Sequence, residues 1–306
     1  MSPFAVVHQP PPTLGAIGFI NTLPLYHGLS LPAQWQLRYA PPTTLNREVL
    51  AGSLQVTPVS SAHYLAHRDE LTLLPGVSVS SYGGVNSVLF VRQAGWAPAR
   101  ASSAPVVIPV PDDSATSVAL LRWLLQHTDA LFEGWDPETP VQFEIYPAQA
   151  YAEALATHGC ALMIGDHALR WYAQHADNTS CWGFVDLATA WVARTSLPMV
   201  FAVWVTPTTW LEAAPENQHA AQALIEALVC QREQFDQNPV HQQAVIARAQ
   251  AQSGLSEQVI AHYLTQSLAF DWTLGHTAFL ETFSTVIHPP QSRLFVVPAE
   301  AMSVCR

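Results

Sequence analysis

The chain of 306 residues contains no lysine; its twelve basic residues are all arginine. Without a primary amine on any side chain, Schiff-base catalysis, attachment of pyridoxal phosphate and a P-loop lysine are excluded together. Cysteine is scarce as well. Cys160, Cys181, Cys230 and Cys305 are scattered with no C-x-x-C spacing, so neither a zinc knuckle nor a disulfide framework is encoded, and the pattern reads as reduced thiols in a reducing compartment. Positive charge is in deficit, 12 basic against 23 acidic residues for a formal charge of -11. A field of that sign repels nucleic acid and anionic membrane surfaces. No uninterrupted apolar run is long enough to span a bilayer. Residues 1–13 have no basic n-region, and Pro10-Pro11-Pro12 breaks any apolar stretch, so the expectation is a cytoplasmic protein with a disordered tail over 1–13. At 49% hydrophobic, the remainder is long enough for one large domain or two lobes. Its expected partner is a small molecule.

Strand and helix signals alternate from Ala16 onward. Ala16–Ile20 and Gln36–Tyr39 read as strands, and Thr44–Ala51 reads as a helix capped by Thr43 or Thr44. Val56 to Ser61 ends a further strand, and Leu89–Arg92 reads as the close of the first βαβ run. Gln93 to Ala104, rich in Ala, Pro, Gly and Ser, reads as a linker. A second alternating run follows, with strands at Val106–Val110, Val141–Ile145 and Ala161–Ile164 and helices at Thr116–Gln126, Ala148–Ala156 and beyond Asp166. Met199–Val205 is a near-continuous apolar strand of the kind buried on both faces of a sheet. Helices at Gln218–Phe235, Val240–Gln252, Glu257–Leu268 and His276–Ile287 close the chain, the third with Ser256 as its cap.

The most informative feature is a set of strands that stop in polar, donor-rich turns. Gly18-Phe19-Ile20-Asn21-Thr22-Leu23-Pro24-Leu25-Tyr26 is one, Pro58-Val59-Ser60-Ser61 another, and Asn86-Ser87 precedes an apolar strand. In an open α/β sheet the carboxyl ends of strands are where ligands sit. Asp113-Ser114-Ala115-Thr116-Ser117 leads into a helix, Ala161 through Ile164-Gly165-Asp166-His167 into another, and Asp186-Leu187 runs through Trp191 to Leu197-Pro198-Met199 and on to Trp204. Five of these motifs, all but Asn86-Ser87, in order over roughly residues 15 to 205, resemble the MqnA family, the chorismate dehydratases of the futalosine route to menaquinone.

The resemblance implies an α/β, two-lobed fold of the periplasmic-binding-protein type II class, with the ligand crevice between the lobes. It implies lobe one from residues 14–98 plus 199–306 and lobe two from 99–198, with crossings near Gln93–Ala104 and Ser196–Val200. It also implies a lyase that removes water from chorismate, a small dicarboxylate, with no cofactor and no metal. Two other readings stay open: the sister enzyme that makes 1,4-dihydroxy-6-naphthoate, and a solute-binding protein without catalysis. Ala188 and Ser196 stand where the family tends to have glycine.

The residue types suit the chemistry. A chain without lysine must hold two carboxylates with helix amino termini, whose free N–H groups and dipole attract anions, and Thr116-Ser117 and Ser60-Ser61 have the right form. Each is equally an ordinary helix cap. Asn21 offers both donors and an acceptor, with Thr22 beside it for a carboxylate. Asn21, Ser87 and Asp166 are the candidate catalytic residues; Thr22, Ser60, Ser61, Asn86, Thr116, Ser117 and Gly165 are the candidate substrate-binding residues. The base is either Asp166 or the substrate's own enolpyruvyl carboxylate. His63 and His67, one helical turn apart, lack a third ligand and read as capping or surface histidines. Arg38, Arg47, Arg122 and Arg194 are each candidates for a carboxylate clamp.

Overall fold

The computed structural model describes residues 11–97, 104–112, 115–127, 131–132, 135–147, 150–287 and 297–298. The expected tail falls mainly on residues outside these, as do the carboxyl segment after 298 and the Asp113-Ser114 pair. Thr13 belongs to no tail, because it opens the first strand.

In chain order the elements begin with β1 (Thr13–Ala16), α1 (Leu23–Tyr26), β2 (Gln36–Tyr39), α2 (Pro42–Leu50), β3 (Thr57–Ser60), α3 (Ser61–Ala66) and β4 (Leu71–Ser81). Then come β5 (Val88–Gln93), β6 (Val106–Pro111), α4 (Ala115–His127), β7 (Val141–Tyr146), α5 (Tyr151–His158), β8 (Cys160–Ile164), α6 (Gly165–His175), β9 (Trp182–Asp186) and α7 (Leu187–Thr195). The chain closes with β10 (Met199–Pro207), α8 (Thr208–Ala213), α9 (Pro215–Gln237), α10 (Pro239–Ser253), α11 (Glu257–His262), a π-helical turn Tyr263–Ser267, α12 (Leu274–Ile287) and a short β11 (Val297–Pro298).

The strands form two layers. In the first, β1 pairs in parallel with β2 and touches β3 through a Leu14–Val56 bridge, while β10 lies antiparallel between β3 and β4. In the second, β6 and β11 flank β7 in parallel, β8 lies beside β6, and β5 runs antiparallel between β8 and β9. The strands antiparallel to both neighbours, β5 and β10, are those the chain makes on passing from one layer to the other. A first crossing therefore spans residues 82–87, between β4 and β5, and the return spans 196–198, between α7 and β10.

This corrects three expectations. The first crossing is not at Gln93–Ala104: β5 belongs to the second layer, paired with β8 and β9. An apolar strand buried on both faces reads the same whichever sheet receives it. Strand β1 ends where Ala16–Ile20 was expected to begin, because Ile20–Thr22 winds into a 3₁₀ turn that feeds α1, with Pro24 in its first turn. Helix α2 starts at Pro42 after Pro41, so neither Thr43 nor Thr44 caps it; proline's fixed φ suits a first helical turn.

One hydrophobic cluster runs through both layers and gathers Trp191, Trp204, Phe90, Phe279 and Phe283. Trp204 is wholly buried and donates to Tyr26 Oη at 3.2 Å, and Tyr26 in turn donates to the Gly15 carbonyl, so β10 is tied to α1 and through it to β1. Helix α9 packs on β4 and α1. Among the described residues no helix is long and apolar enough to cross a membrane.

Ser196, at the return crossing, ends α7 in the left-handed conformation with φ 57° and ψ 18°, a position that favours glycine. A left-handed non-glycine residue costs about 1–2 kcal/mol, offset in part by the chain entropy that glycine loses on folding. Ser196→Gly is thus expected to stabilise the fold by roughly 0.5 kcal/mol, seen as a higher denaturant midpoint at unchanged slope.

Candidate functional site

Asn21, Ser87, Gly165 and Asp166 meet where the two layers face each other. The 3₁₀ turn after β1 carries Asn21, the first crossing delivers Ser87 to the start of β5, and Gly165 and Asp166 open α6 after β8. The contacts are mutual. The Gly165 N–H donates to the Ser87 carbonyl at 2.7 Å, and the Asp166 carboxylate accepts the N–H of Ile20, next to Asn21. Gly165 adopts φ +60°, which glycine takes without strain and which turns its N–H toward Ser87.

Tyr263 completes the cluster, and sequence reading missed it. It is the first residue of the π-helical turn and nearly fully buried; its hydroxyl donates to Ser87 Oγ at 3.0 Å and lies in hydrogen-bonding reach of the Asn21 side chain. Burial raises its ionisation well above the ordinary tyrosine range, so it remains a donor at any working pH. Nothing local marks it, because it stands 176 positions from Ser87. The Asn21 carbonyl oxygen Oδ1 is buried with no hydrogen-bond partner among the described residues. An orphaned acceptor costs about 1–3 kcal/mol unless a donor meets it, which marks the atom as a place for a ligand's donor.

Asp166 has its pKa pushed up to about 6, first by burial, with Arg170 and the Ile20 N–H opposing. Arg170, one turn along α6, also donates to the Ser253 carbonyl at 2.9 Å, and the i, i+4 spacing from Asp166 was the signal that could have singled it out. Two of the arginines named from sequence are engaged in other contacts: Arg38 forms a two-pronged surface pair with Glu48 at 2.6 and 2.9 Å, and the Arg122 guanidinium lies 5.1 Å from the Phe143 ring centre.

A second group links α3 to α4. Thr116 Oγ1 accepts the Ala62 N–H at 3.0 Å, and Ser60 Oγ accepts the His63 N–H at 3.3 Å, so both hydroxyls cap α3 and keep their own protons to donate. Ser117 is buried beside Thr116 at the start of α4. Two candidates fit less well. Thr22 gives its hydroxyl proton to the Ile17 and Phe19 carbonyls, and Ser61 gives its own to the Val200 carbonyl at 2.7 Å. A carboxylate accepts only, so neither has a donor left for one. Asn86 serves through its backbone: at φ 55° its N–H donates to Asp186 Oδ2 at 2.7 Å. His63 packs against His67 with the rings tilted by 44°, the His67 Nδ1 lies 2.9 Å from Glu70, and the described residues hold no metal-binding group of three or more His, Cys, Asp or Glu.

The chain is 36% identical over 230 residues to the chorismate dehydratase of Thermus thermophilus, covering 71% of this chain and 76% of that protein. Among solved structures it resembles a protein from Archaeoglobus fulgidus, with TM-score 0.63, 18% identity and coverage of 91% and 97% of the two chains. It also resembles the periplasmic aliphatic sulphonate binding protein SsuA of Escherichia coli, with TM-score 0.59, 12% identity and coverage of 91% and 86%. The alkanesulfonate-binding protein SsuA of Xanthomonas axonopodis pv. citri gives TM-score 0.60 at 14% identity, covering 94% and 96%. The fold is thus that of the periplasmic binding proteins, an α/β architecture. A family described as menaquinone biosynthesis matches residues 12–288, nearly the whole described structure, and to that family the chain belongs.

Proposed function

We propose that the protein is a cofactor-independent hydro-lyase of the cytoplasm that dehydrates chorismate to 3-[(1-carboxyvinyl)oxy]benzoate, the first step of the futalosine route to menaquinone. The reading is carried by one observation: a 36% identical chorismate dehydratase aligned over most of the chain. The site has matching chemistry, a buried cluster of neutral donors and one orphaned acceptor without lysine. We assign the two strand layers to two lobes, with chorismate between them and the crossings at 82–87 and 196–198 as the hinges.

In this mechanism the ring carbon bearing the enolpyruvyl ether loses its proton, and charge spreads through the diene onto the ring carboxylate. The hydroxyl on the neighbouring carbon then departs, protonated as water, and the ring becomes aromatic. Aromatisation supplies the driving force, so the protein's task is orientation and stabilisation of the developing anion. Ser87 and the amino termini of α3 and α4, with Ser60, Thr116 and Ser117, supply donors for the carboxylates. Asn21 Oδ1 accepts from the substrate hydroxyl. The enolpyruvyl carboxylate takes the proton, because Asp166 is already engaged: its carboxyl accepts the Ile20 N–H and faces Arg170.

The test is to mix metal-free protein with chorismate and follow loss of the diene absorbance, with mass analysis of the product. A product lighter by one water supports the reading; saturable binding without turnover would leave a solute-binding protein. Asp166→Asn sharpens it. Asparagine still accepts from Ile20, so turnover is expected to stay within a few-fold, whereas loss of chemistry with binding intact would make Asp166 the base. A carboxyl whose folded pKa is raised favours folding below its unfolded value near 4, and that contribution is lost as pH rises through about 6. Removing the charge should therefore stabilise the variant by up to about 3 kcal/mol at pH 8 and by almost nothing at pH 4.

A further inference from the structure

We propose that Tyr263 is a positioning residue that aims the Ser87 hydroxyl at the substrate and fixes which end of the Asn21 amide faces it. The inference rests on the functional reading above and adds to it a residue from the carboxyl-terminal helices. Ser87 is held at its backbone by the Gly165 N–H on its carbonyl, which leaves only its hydroxyl rotor free. Tyr263 settles that rotor. A phenol is one donor and one acceptor, and the Tyr263 proton points to Ser87 Oγ at 3.0 Å. Ser87 must then direct its own proton elsewhere. On the other side, the Asn21 amide lies in hydrogen-bonding reach of the Tyr263 oxygen. With its donor proton given to Ser87, that oxygen can only accept, so Asn21 presents its NH₂ to tyrosine and its buried, unpartnered Oδ1 away from it. The chain of bonds therefore runs Asn21 to Tyr263 to Ser87, each donor strengthening the next, and ends in one acceptor and one donor of fixed sense.

The backbone is shaped for this role. Leu268 N–H bonds to the Tyr263 carbonyl at 3.1 Å, the wide i, i+5 spacing of a π turn, at the point where α11 would otherwise continue. Such single turns recur at functional sites. Tyr263 is only 2% exposed, and its ring packs in the main hydrophobic cluster, so ring and hydroxyl have separable tasks.

Tyr263→Phe keeps the ring and removes the hydroxyl. Its kcat on chorismate is expected to fall about 10- to 100-fold, the scale of a misoriented catalytic group, with KM within about threefold and a thermal midpoint close to wild type. In the Ser87→Ala background the same substitution should lower kcat clearly less than it does alone, because only the Asn21 amide is left for it to orient. Wild-type kcat in Tyr263→Phe, or a full loss on top of Ser87→Ala, overturns the proposal. A parallel fall of kcat and thermal midpoint, with Ser87→Ala and Tyr263→Phe effects simply adding, reduces Tyr263 to packing and overturns it too. A wild-type protein that leaves chorismate unchanged defeats the functional reading itself and the inference with it, and the wild-type control separates the two failures.

Discussion

Asn21→Ala lowers kcat/KM for chorismate by about two to three orders of magnitude, the loss found when a single oriented polar group at a developing charge is removed. The size follows from what the side chain does at both ends. Its carbonyl oxygen is buried without a protein partner, so the free protein already bears its desolvation and recovers it when the substrate hydroxyl arrives. Its NH₂ supports Tyr263 and, through it, Ser87. Alanine removes the acceptor and releases the relay together. Asn21→Asp is the more telling variant: it is nearly isosteric, keeps an acceptor toward the substrate hydroxyl, and replaces the donor toward Tyr263 with an anion. It is expected to lose nearly as much, because a carboxylate beside a dianionic substrate is repulsive. Activity within tenfold of wild type in both variants would remove Asn21 from the reaction.

Much of this site is readable before any coordinates. Asn21, Gly165 and Asp166 each stand where an apolar strand gives way to a polar turn, Ser87 stands in the polar turn just before another, and the rule that ligands gather at strand ends points to these turns without knowledge of the connections. Ser256 is likewise readable as a cap, and it accepts the Val259 N–H. The failures have physical causes. Thr22 and Ser61 look like carboxylate donors in sequence, but a hydroxyl has one proton, and a backbone carbonyl claims it in each: that of Val200, distant in sequence, for Ser61, and those of Ile17 and Phe19, folded back by the 3₁₀ turn, for Thr22. The eleven-residue β4 is hidden because Pro75-Gly76 interrupts its pattern, with Gly76 at φ 144° against Ile225. Tyr263 is invisible because a π turn has no hydrophobic period of its own. The crossing was misplaced because composition marks Gln93–Ala104 as the linker, while the residues that change layers, Tyr82 to Ser87, are few and held by bonds to a carboxylate 100 positions away.

That carboxylate, Asp186, is where fold and site are least separable, and its removal gives the largest expected loss of stability. At the end of β9 its Oδ1 accepts the Thr189 N–H at 2.9 Å, capping α7, while Oδ2 accepts the N–H groups of Val85 and Asn86 at 2.8 and 2.7 Å. The crossing thus wraps around one side chain, and Asn86 sits at φ 55° to present its N–H, a left-handed conformation asparagine tolerates. Gly84 passes so close that a Cβ there would lie 2.8 Å from Thr189 Oγ1. Asp186→Ala strands three donors at once; with bonds to a charged acceptor contributing about 1.5–3 kcal/mol each and not adding in full, the expected loss is about 3–5 kcal/mol. Asp186→Asn should lose less, since its amide oxygen still accepts on one side, although its NH₂ then faces an N–H on the other. Because Ser87 follows Asn86 directly, the surviving folded fraction should also turn over chorismate more slowly, which distinguishes Asp186 from an ordinary cap such as Ser256, whose removal costs about 1 kcal/mol and leaves kcat alone. Denaturant titration beside a turnover assay, run on both aspartate variants and on Ser256→Ala, reads the two effects. Wild-type kcat in Asp186→Ala at temperatures where it stays folded would show that Ser87 holds its place without the crossing's anchor.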